Sequence, residues 1–154
     1  MYSAALADHK SAIAAITRWF EAEWPSWYGP DGPGDAAADL ESWCDETALP
    51  VARIALDEAG HVIGIAALKT DGLGEEFGFS PFLSAMYVLP QYRGSGAGTL
   101  LTGAIAEVAK MHGYDMLYAT TDGARGLLLR LGWNETGFRS LSDRGPLAIL
   151  SKAL

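Results

Sequence analysis

The segment with the clearest chemistry is Val88–Gly98, which reads Val-Leu-Pro-Gln-Tyr-Arg-Gly-Ser-Gly-Ala-Gly. Glycines at 94, 96 and 98 let the backbone turn without steric cost and approach a ligand closely. An apolar stretch precedes them. Helical periodicity follows, with Leu100, Leu101, Ala104, Ile105 and Val108 on one face. A glycine-rich turn at a helix start directs unpaired N–H groups and the positive end of the helix dipole into one space, which suits phosphate. Arg93 adds a positive charge at its edge. Two phosphate-binding motifs fit poorly. A Walker loop needs Gly-Lys-Ser/Thr, and no lysine lies near. A dinucleotide fingerprint needs a third glycine where Thr99 stands, and its first glycine should follow the strand at once, whereas Pro90, Gln91 and Tyr92 intervene.

The elements that must position this loop can be read along the chain. Tyr2–Leu6 reads as a strand and Asp8 as the N-cap of a helix carrying His9, Ile13, Ile16 and Phe20 on one face. That helix should stop by Trp24, because Pro25 follows. Gly29–Gly34 is a loop, and Asp35 caps a second helix to about Asp45. Val51–Asp57 and His61–Lys69 read as strands around a turn at Glu58, Ala59 and Gly60, and Thr70–Ser80 as a polar loop. Pro81–Val88 is a third strand, followed by the glycines and a helix to about His112. Met116–Thr120 is a short strand, and Ala124–Leu131 a helix ended by Gly132. Trp133–Ser140 and Pro146–Lys152 close the chain as strands. The predicted class is α/β, of the α+β kind, with a mixed, mostly antiparallel central sheet flanked by helices.

Composition narrows the function classes. The 154 residues predict one domain spanning 1–154. Eleven basic against 19 acidic residues leave a formal charge of −8, which argues against a nucleic-acid partner, since phosphate contacts need basic surface. A cationic amine substrate suits that balance. Cys44 is the single cysteine, so there is neither a disulfide framework nor a Cys-based metal site, and His9, His61 and His112 have no metal-ligand spacing. The first residues lack the cationic stretch of a signal peptide. The longest apolar run, near Val62–Leu68, is far short of the ~20 residues of a membrane span. The expectation is a soluble, cytoplasmic protein with no membrane partner and no metal.

A third phosphate motif fits the loop. Arg93, Gly96 and Gly98 fill Arg-x-x-Gly-x-Gly/Ala, with Val88, Pro90 and Tyr92 upstream as Val-x-Pro-x-Tyr. Residues 124–133, Ala-Arg-Gly-Leu-Leu-Leu-Arg-Leu-Gly-Trp, carry a helix-then-strand segment ending in Gly-Trp. With the order of elements, these motifs resemble the GNAT N-acetyltransferase superfamily over most of the chain. The resemblance implies acetyl-CoA as cosubstrate. Its pantetheine arm would bind along Met86, Tyr87 and Val88, as a strand added to an edge. The pyrophosphate would bind at Arg93, Gly94, Ser95, Gly96, Ala97, Gly98 and Thr99. Many members carry a tyrosine four residues before the glycine of the Gly-Phe/Trp pair, proposed to protonate the departing thiolate. Leu128 stands there and transfers no proton.

Acetyl transfer to an amine also needs a base, because an alkyl amine has a pKa of about 10 in water. Glu75 and Glu76 sit in the loop leading to the central strand, near where the acceptor meets the acetyl group in such folds, and Asp122 follows the strand ending at Thr121. All three stand as candidates; Tyr118, in a strand, reads as core. Trp27 and Tyr28, in the link between the first helices, fall where this fold builds a wall of the acceptor pocket, and Trp19 and Trp43 read as core anchors. The implied function is an acetyl-CoA-dependent N-acetyltransferase acting on a primary amine of a small molecule or peptide. Two alternatives remain: a non-catalytic acyl-CoA-binding module, and an acyltransferase using another acyl-CoA or nucleophile. The resemblance leaves the oligomeric state open, homodimers being common in the family.

Overall fold

The computed structural model describes residues 1–121 and 123–154. The strands are β1 (Tyr2–Ala5), β2 (Val51–Leu56), β3 (Val62–Lys69), β4 (Phe82–Val88), β5 (Met116–Thr121), β6 (Asn134–Ser142) and β7 (Gly145–Ala153). The helices are α1 (Ile13–Glu23), α2 (Pro25–Tyr28), α3 (Ala36–Ser42), α4 (Ala97–Met111) and α5 (Arg125–Arg130). The strands form one sheet in the order β1-β2-β3-β4-β5-β7-β6. Among the described residues only β4 and β5 pair in parallel, with α4 connecting them; the other neighbours are antiparallel. This is the mixed, mostly antiparallel sheet expected. Among the described residues, no helix is long and apolar enough to cross a membrane.

Helices cover both faces, which explains why β2 and β3 are apolar almost throughout. On one face Leu101, Ile105 and Val108 of α4 pack with Ile63, Ala66 and Leu68 of β3 and with Trp133. On the other, Ile16 and Phe20 of α1 and Leu40 of α3 pack with Ile54, Leu56 and Ile65. Each fully buried Leu, Ile or Phe contributes about 1.5–3 kcal/mol relative to exposure. Trp43 is a core anchor, and Trp19 packs at the core edge against Tyr87.

Three local expectations yield to tertiary contacts. Asp8 does not cap the first helix: it ends a 3₁₀ turn, Leu6–Asp8, and a second turn, Lys10–Ala12, intervenes before α1. His9, whose backbone is non-helical at φ −139° and ψ 46°, separates the two turns and so lies outside the helix. The second helix stops at Ser42 rather than Asp45, because the Trp43 carbonyl accepts the Ala52 N–H of β2 at 3.1 Å. Asp45 instead accepts hydrogen bonds from the N–H and hydroxyl of Thr47. Asp35 does cap α3, its carboxylate accepting from the Ala38 N–H at 3.0 Å.

Candidate active site

The sheet opens between β4 and β5. The two strands share one paired position, Phe82 with Tyr118, where the Tyr118 N–H donates to the Pro81 carbonyl at 3.0 Å. Beyond it β5 gives every residue from Met116 to Thr121 to β7, while β4 continues along β3 to Val88. The β5-facing edge of β4 therefore runs past Met86, Tyr87 and Val88 with no strand ladder on it. Within this stretch Ala85 adopts φ 52°, the one positive φ at a non-glycine residue among the described residues. It sits where the β3–β4 register shifts between Ile65 and Ala67. Such a conformation costs about 1–3 kcal/mol and persists because packed neighbours impose it. The bulge turns Ala85 and Tyr87 to the α1 side and Met86 and Val88 to the α4 side.

The glycine loop closes the end of this opening. A 3₁₀ turn, Pro90–Tyr92, leads out of β4, and the Arg93 Nε donates back to the Val88 carbonyl at 3.0 Å. The Ser95 hydroxyl donates to the Tyr92 carbonyl. Gly94 and Gly96 take φ 77° and 96°, and no atom lies within 4 Å of where a Cβ would stand at either. They are required by conformation and not by crowding, and they face open space. The first helical bond of α4 runs from the Leu100 N–H to the Gly96 carbonyl at 2.9 Å, so the N–H groups of Ala97, Gly98 and Thr99 precede the helical ladder. At Gly98 a Cβ would lie 2.8 Å from Leu127 Cδ2, so this glycine lets α4 pass close to α5. The arrangement is a cradle for an anion continuous with an unpaired strand edge, a shape that fits a pyrophosphate joined to an amide-bearing arm.

Two contacts steady the loop. The Arg93 guanidinium carbon lies 5.5 Å from the centre of the Tyr87 ring. The Tyr92 hydroxyl reaches Asp57 Oδ2 at 3.4 Å, in the turn between β2 and β3. Asp57 also accepts from the N–H groups of His61 and Ala59, both at 2.9 Å. The His61 N–H is the first cause holding its carboxyl below the ordinary carboxylate range.

At the other end of the opening, the loop between β3 and β4 lies across β5, β7 and β6. The Thr120 hydroxyl donates to the Leu73 carbonyl. Gly74, with φ 117°, passes so close that a Cβ would sit 2.9 Å from Ile149 Cδ1. Glu75 and Glu76 begin a 3₁₀ turn, Glu75–Phe77. The Glu76 carboxylate is held on both oxygens: the Gly74 N–H donates to Oε2 at 3.0 Å and the Ser140 hydroxyl to Oε1 at 3.2 Å. Glu75 is exposed on the same turn. Around them stand the rings of Phe77, Phe79, Phe138 and Tyr118, with Phe79 stacked on Tyr118 at 4.5 Å and Phe77 4.8 Å from Phe138. Tyr118 thus belongs to an aromatic cluster beside the opening.

The remaining sequence candidates separate. Trp27 is 53% exposed at the surface of α2. Tyr28 turns inward, stacked on Phe20, with its hydroxyl donating to Asp39 Oδ2 at 2.7 Å. Burial first, then the bond to Asp39, raises the phenol well above its ordinary range. Leu128 is 1% exposed and packs in the core with Leu101, Ala119 and Trp133. Asp122 lies outside the described residues. Among the described residues no three His, Cys, Asp or Glu side chains gather as metal ligands. The sequence reading missed Ser140, whose role depends on a partner 64 residues away in the chain.

A model of the acetyltransferase (GNAT) family matches residues 14–133, most of the chain, including the opening and the glycine loop. No curated sequence matches significantly. Similar solved structures include an aminoglycoside 6'-acetyltransferase type Ii, with TM-score 0.75, 17% identity, and coverage of 99% of this chain and 97% of that one. A phosphinothricin acetyltransferase from Sinorhizobium meliloti, in complex with acetyl-CoA, has TM-score 0.71 and 22% identity over 100% of this chain and 89% of that one. A ribosomal-protein-alanine N-acetyltransferase from Brucella melitensis has TM-score 0.68 and 22% identity over the full length of both chains. At such identity these likenesses speak to the fold, and the family match carries the activity. The chain belongs to the GNAT family of acetyltransferases.

Proposed function

We propose that this acetyltransferase moves the acetyl group of acetyl-CoA to a primary amine by direct attack, with Glu76 as the general base. The observation that carries the cofactor part is the continuity of the parted strand edge at Met86–Val88 with the glycine loop at Arg93–Thr99; what supports the base is the Glu76 carboxylate, held by two hydrogen bonds in the loop that leads into β4. Acetyl-CoA supplies an activated acyl carbon and a thiolate leaving group. The strand edge at Met86, Tyr87 and Val88 gives amide partners to the pantetheine arm, and a backbone N–H there stabilises the oxyanion. The N–H groups of Gly94, Gly96, Ala97, Gly98 and Thr99 and the positive end of α4 hold the pyrophosphate, with Arg93 beside them, while the Ser95 N–H, donating to the Tyr92 carbonyl at 3.3 Å, shapes the turn of the loop.

Glu76 accepts the proton the acceptor's ammonium must lose before its nitrogen can attack, directly or through one water; Glu75 and Asp122 are the rivals for this role. Leu128, enclosed in carbon, donates no proton, so the thiolate departs without a side-chain acid at that position. Holding the amine and acyl carbon in line removes an entropic barrier worth at most about 7–11 kcal/mol.

A formal charge of −8 and the acids at 75 and 76 favour a cationic acceptor, with exposed Trp27 lining its approach and Tyr28 supporting that wall. The named activities of the similar structures cover an aminoglycoside, phosphinothricin and a ribosomal-protein alanine, so they favour no single acceptor. The test is CoA release with acetyl-CoA against aminoglycosides, polyamines, small amino compounds and peptide N-termini. Release with an acetylated amine product from at least one cationic class is expected. Tight acetyl-CoA binding with no product from any amine would overturn the reading.

A further inference from the structure

Two polar side chains are buried among the described residues, Thr102 and Ser140. Thr102 is occupied within its own helix, its hydroxyl donating to the Gly98 carbonyl at 2.8 Å. Ser140, 2% exposed on β6, spends its hydroxyl on the Glu76 carboxylate instead. Its strand is at the edge of the sheet, farther from β4 than β5 and β7. Two residues earlier on the same face of β6, Phe138 meets Phe77 at 4.8 Å and Phe79 at 5.5 Å. The outermost strand therefore grips the turn that carries Glu76 through one hydrogen bond and one ring contact, and the residue just past the turn, Phe79, through another.

We infer that Ser140 is a positioning residue for the acetyl-transfer step: it fixes the direction in which Glu76 presents its carboxylate to the acceptor amine. This rests on the assignment of Glu76 as base. An ionised carboxylate has about four lone-pair sites. Two are taken by Gly74 and Ser140, one on each oxygen, and the remainder can accept a proton from the acceptor or a bridging water. With both oxygens tethered, the side chain cannot swing among rotamers in the exposed loop. A base must lie within hydrogen-bond reach of its proton, so this tether acts on rate and not on cofactor binding. Ser140 touches no substrate and works entirely through Glu76.

The experiment is a double-mutant cycle on Ser140→Ala and Glu76→Gln, assayed with the best acceptor amine. Ser140→Ala should lower kcat/KM for that acceptor roughly tenfold, the loss typical of one hydrogen bond to a charged group. The KM for acetyl-CoA should stay unchanged. In the Glu76→Gln background the same substitution should cost less than twofold, because no base remains to be aimed. Ser140→Thr, which restores a hydroxyl, should recover most of the rate; if Ser140→Ala fails to fold, Ser140→Cys, near in size and only a weak donor, takes its place in the cycle. Equal losses in both backgrounds mean Ser140 matters for structure alone and overturn the inference, as does a Ser140→Ala enzyme within twofold of wild type. A silent Glu76→Gln removes the base assignment and this inference with it. A slow Glu76→Gln beside a silent Ser140→Ala removes only the inference.

Discussion

Gly96 gives a test in which conformational and ligand effects can be separated. Its φ of 96° is one that side chains rarely adopt, yet no atom lies within 4 Å of a Cβ built there. Gly96→Ala should therefore cost backbone strain alone, about 1–2 kcal/mol. For a domain of this size each 1 kcal/mol moves Tm by about 2–4 °C, so a fall of about 2–8 °C is expected. Gly103 is an internal control. It lies inside α4 with no positive φ and nothing within 4 Å of its Cβ position, so Gly103→Ala should stabilise by about 0.5–1 kcal/mol. Gly96→Glu adds a long side chain and a negative charge in the open space assigned to the pyrophosphate. Its fold should survive like that of Gly96→Ala, while acetyl-CoA binding is lost. Thermal melts and calorimetric titration with acetyl-CoA measure the two effects independently. A folded Gly96→Glu protein with wild-type acetyl-CoA affinity would falsify the assignment of the loop.

Glu76→Gln should lower kcat/KM by ~10²–10⁴ at neutral pH, and by much less at high pH, where free amine is abundant; Glu75→Gln run beside it identifies the base, and under threefold loss in both points to Asp122 or bulk water. Leu128→Ala should destabilise by about 2–5 kcal/mol in denaturant melts, since the side chain is 1% exposed in a packed core. Leu128→Tyr should overpack the same site at a cost of about 1–3 kcal/mol, and a stable variant with a faster rate would show instead that the position reaches the leaving group. Asp57 has its carboxyl held low by the His61 and Ala59 N–H groups, so its stabilisation is full above the ordinary carboxylate value and fades as pH falls through its lowered one. Asp57→Asn should thus melt earlier than wild type at neutral pH, by a gap that narrows as the pH falls below the ordinary carboxylate range, and equal melting at neutral pH would remove this account.

What the sequence determined was whatever is local to the backbone. The glycines at 94 and 96 are legible because a positive φ disfavours any side chain for local steric reasons, and α4 because its apolar face repeats every three to four residues. The Asp35 cap is legible for the same reason, its bond closing over three residues. Where a distant strand competes for the same groups, local signals lose: Ala52 ends α3 early by taking the Trp43 carbonyl. Only the tertiary structure inserts β7 between β5 and β6, parts β5 from β4 after one paired position, and forces Ala85 to φ 52° beside the opening. It alone makes Glu76 more than one of two adjacent acids, because the hydroxyl that holds it lies on the far edge of the sheet. Propensity and spacing act over a few residues, whereas a hydrogen bond between positions 76 and 140 forms only after packing has assembled both strands and the loop between them.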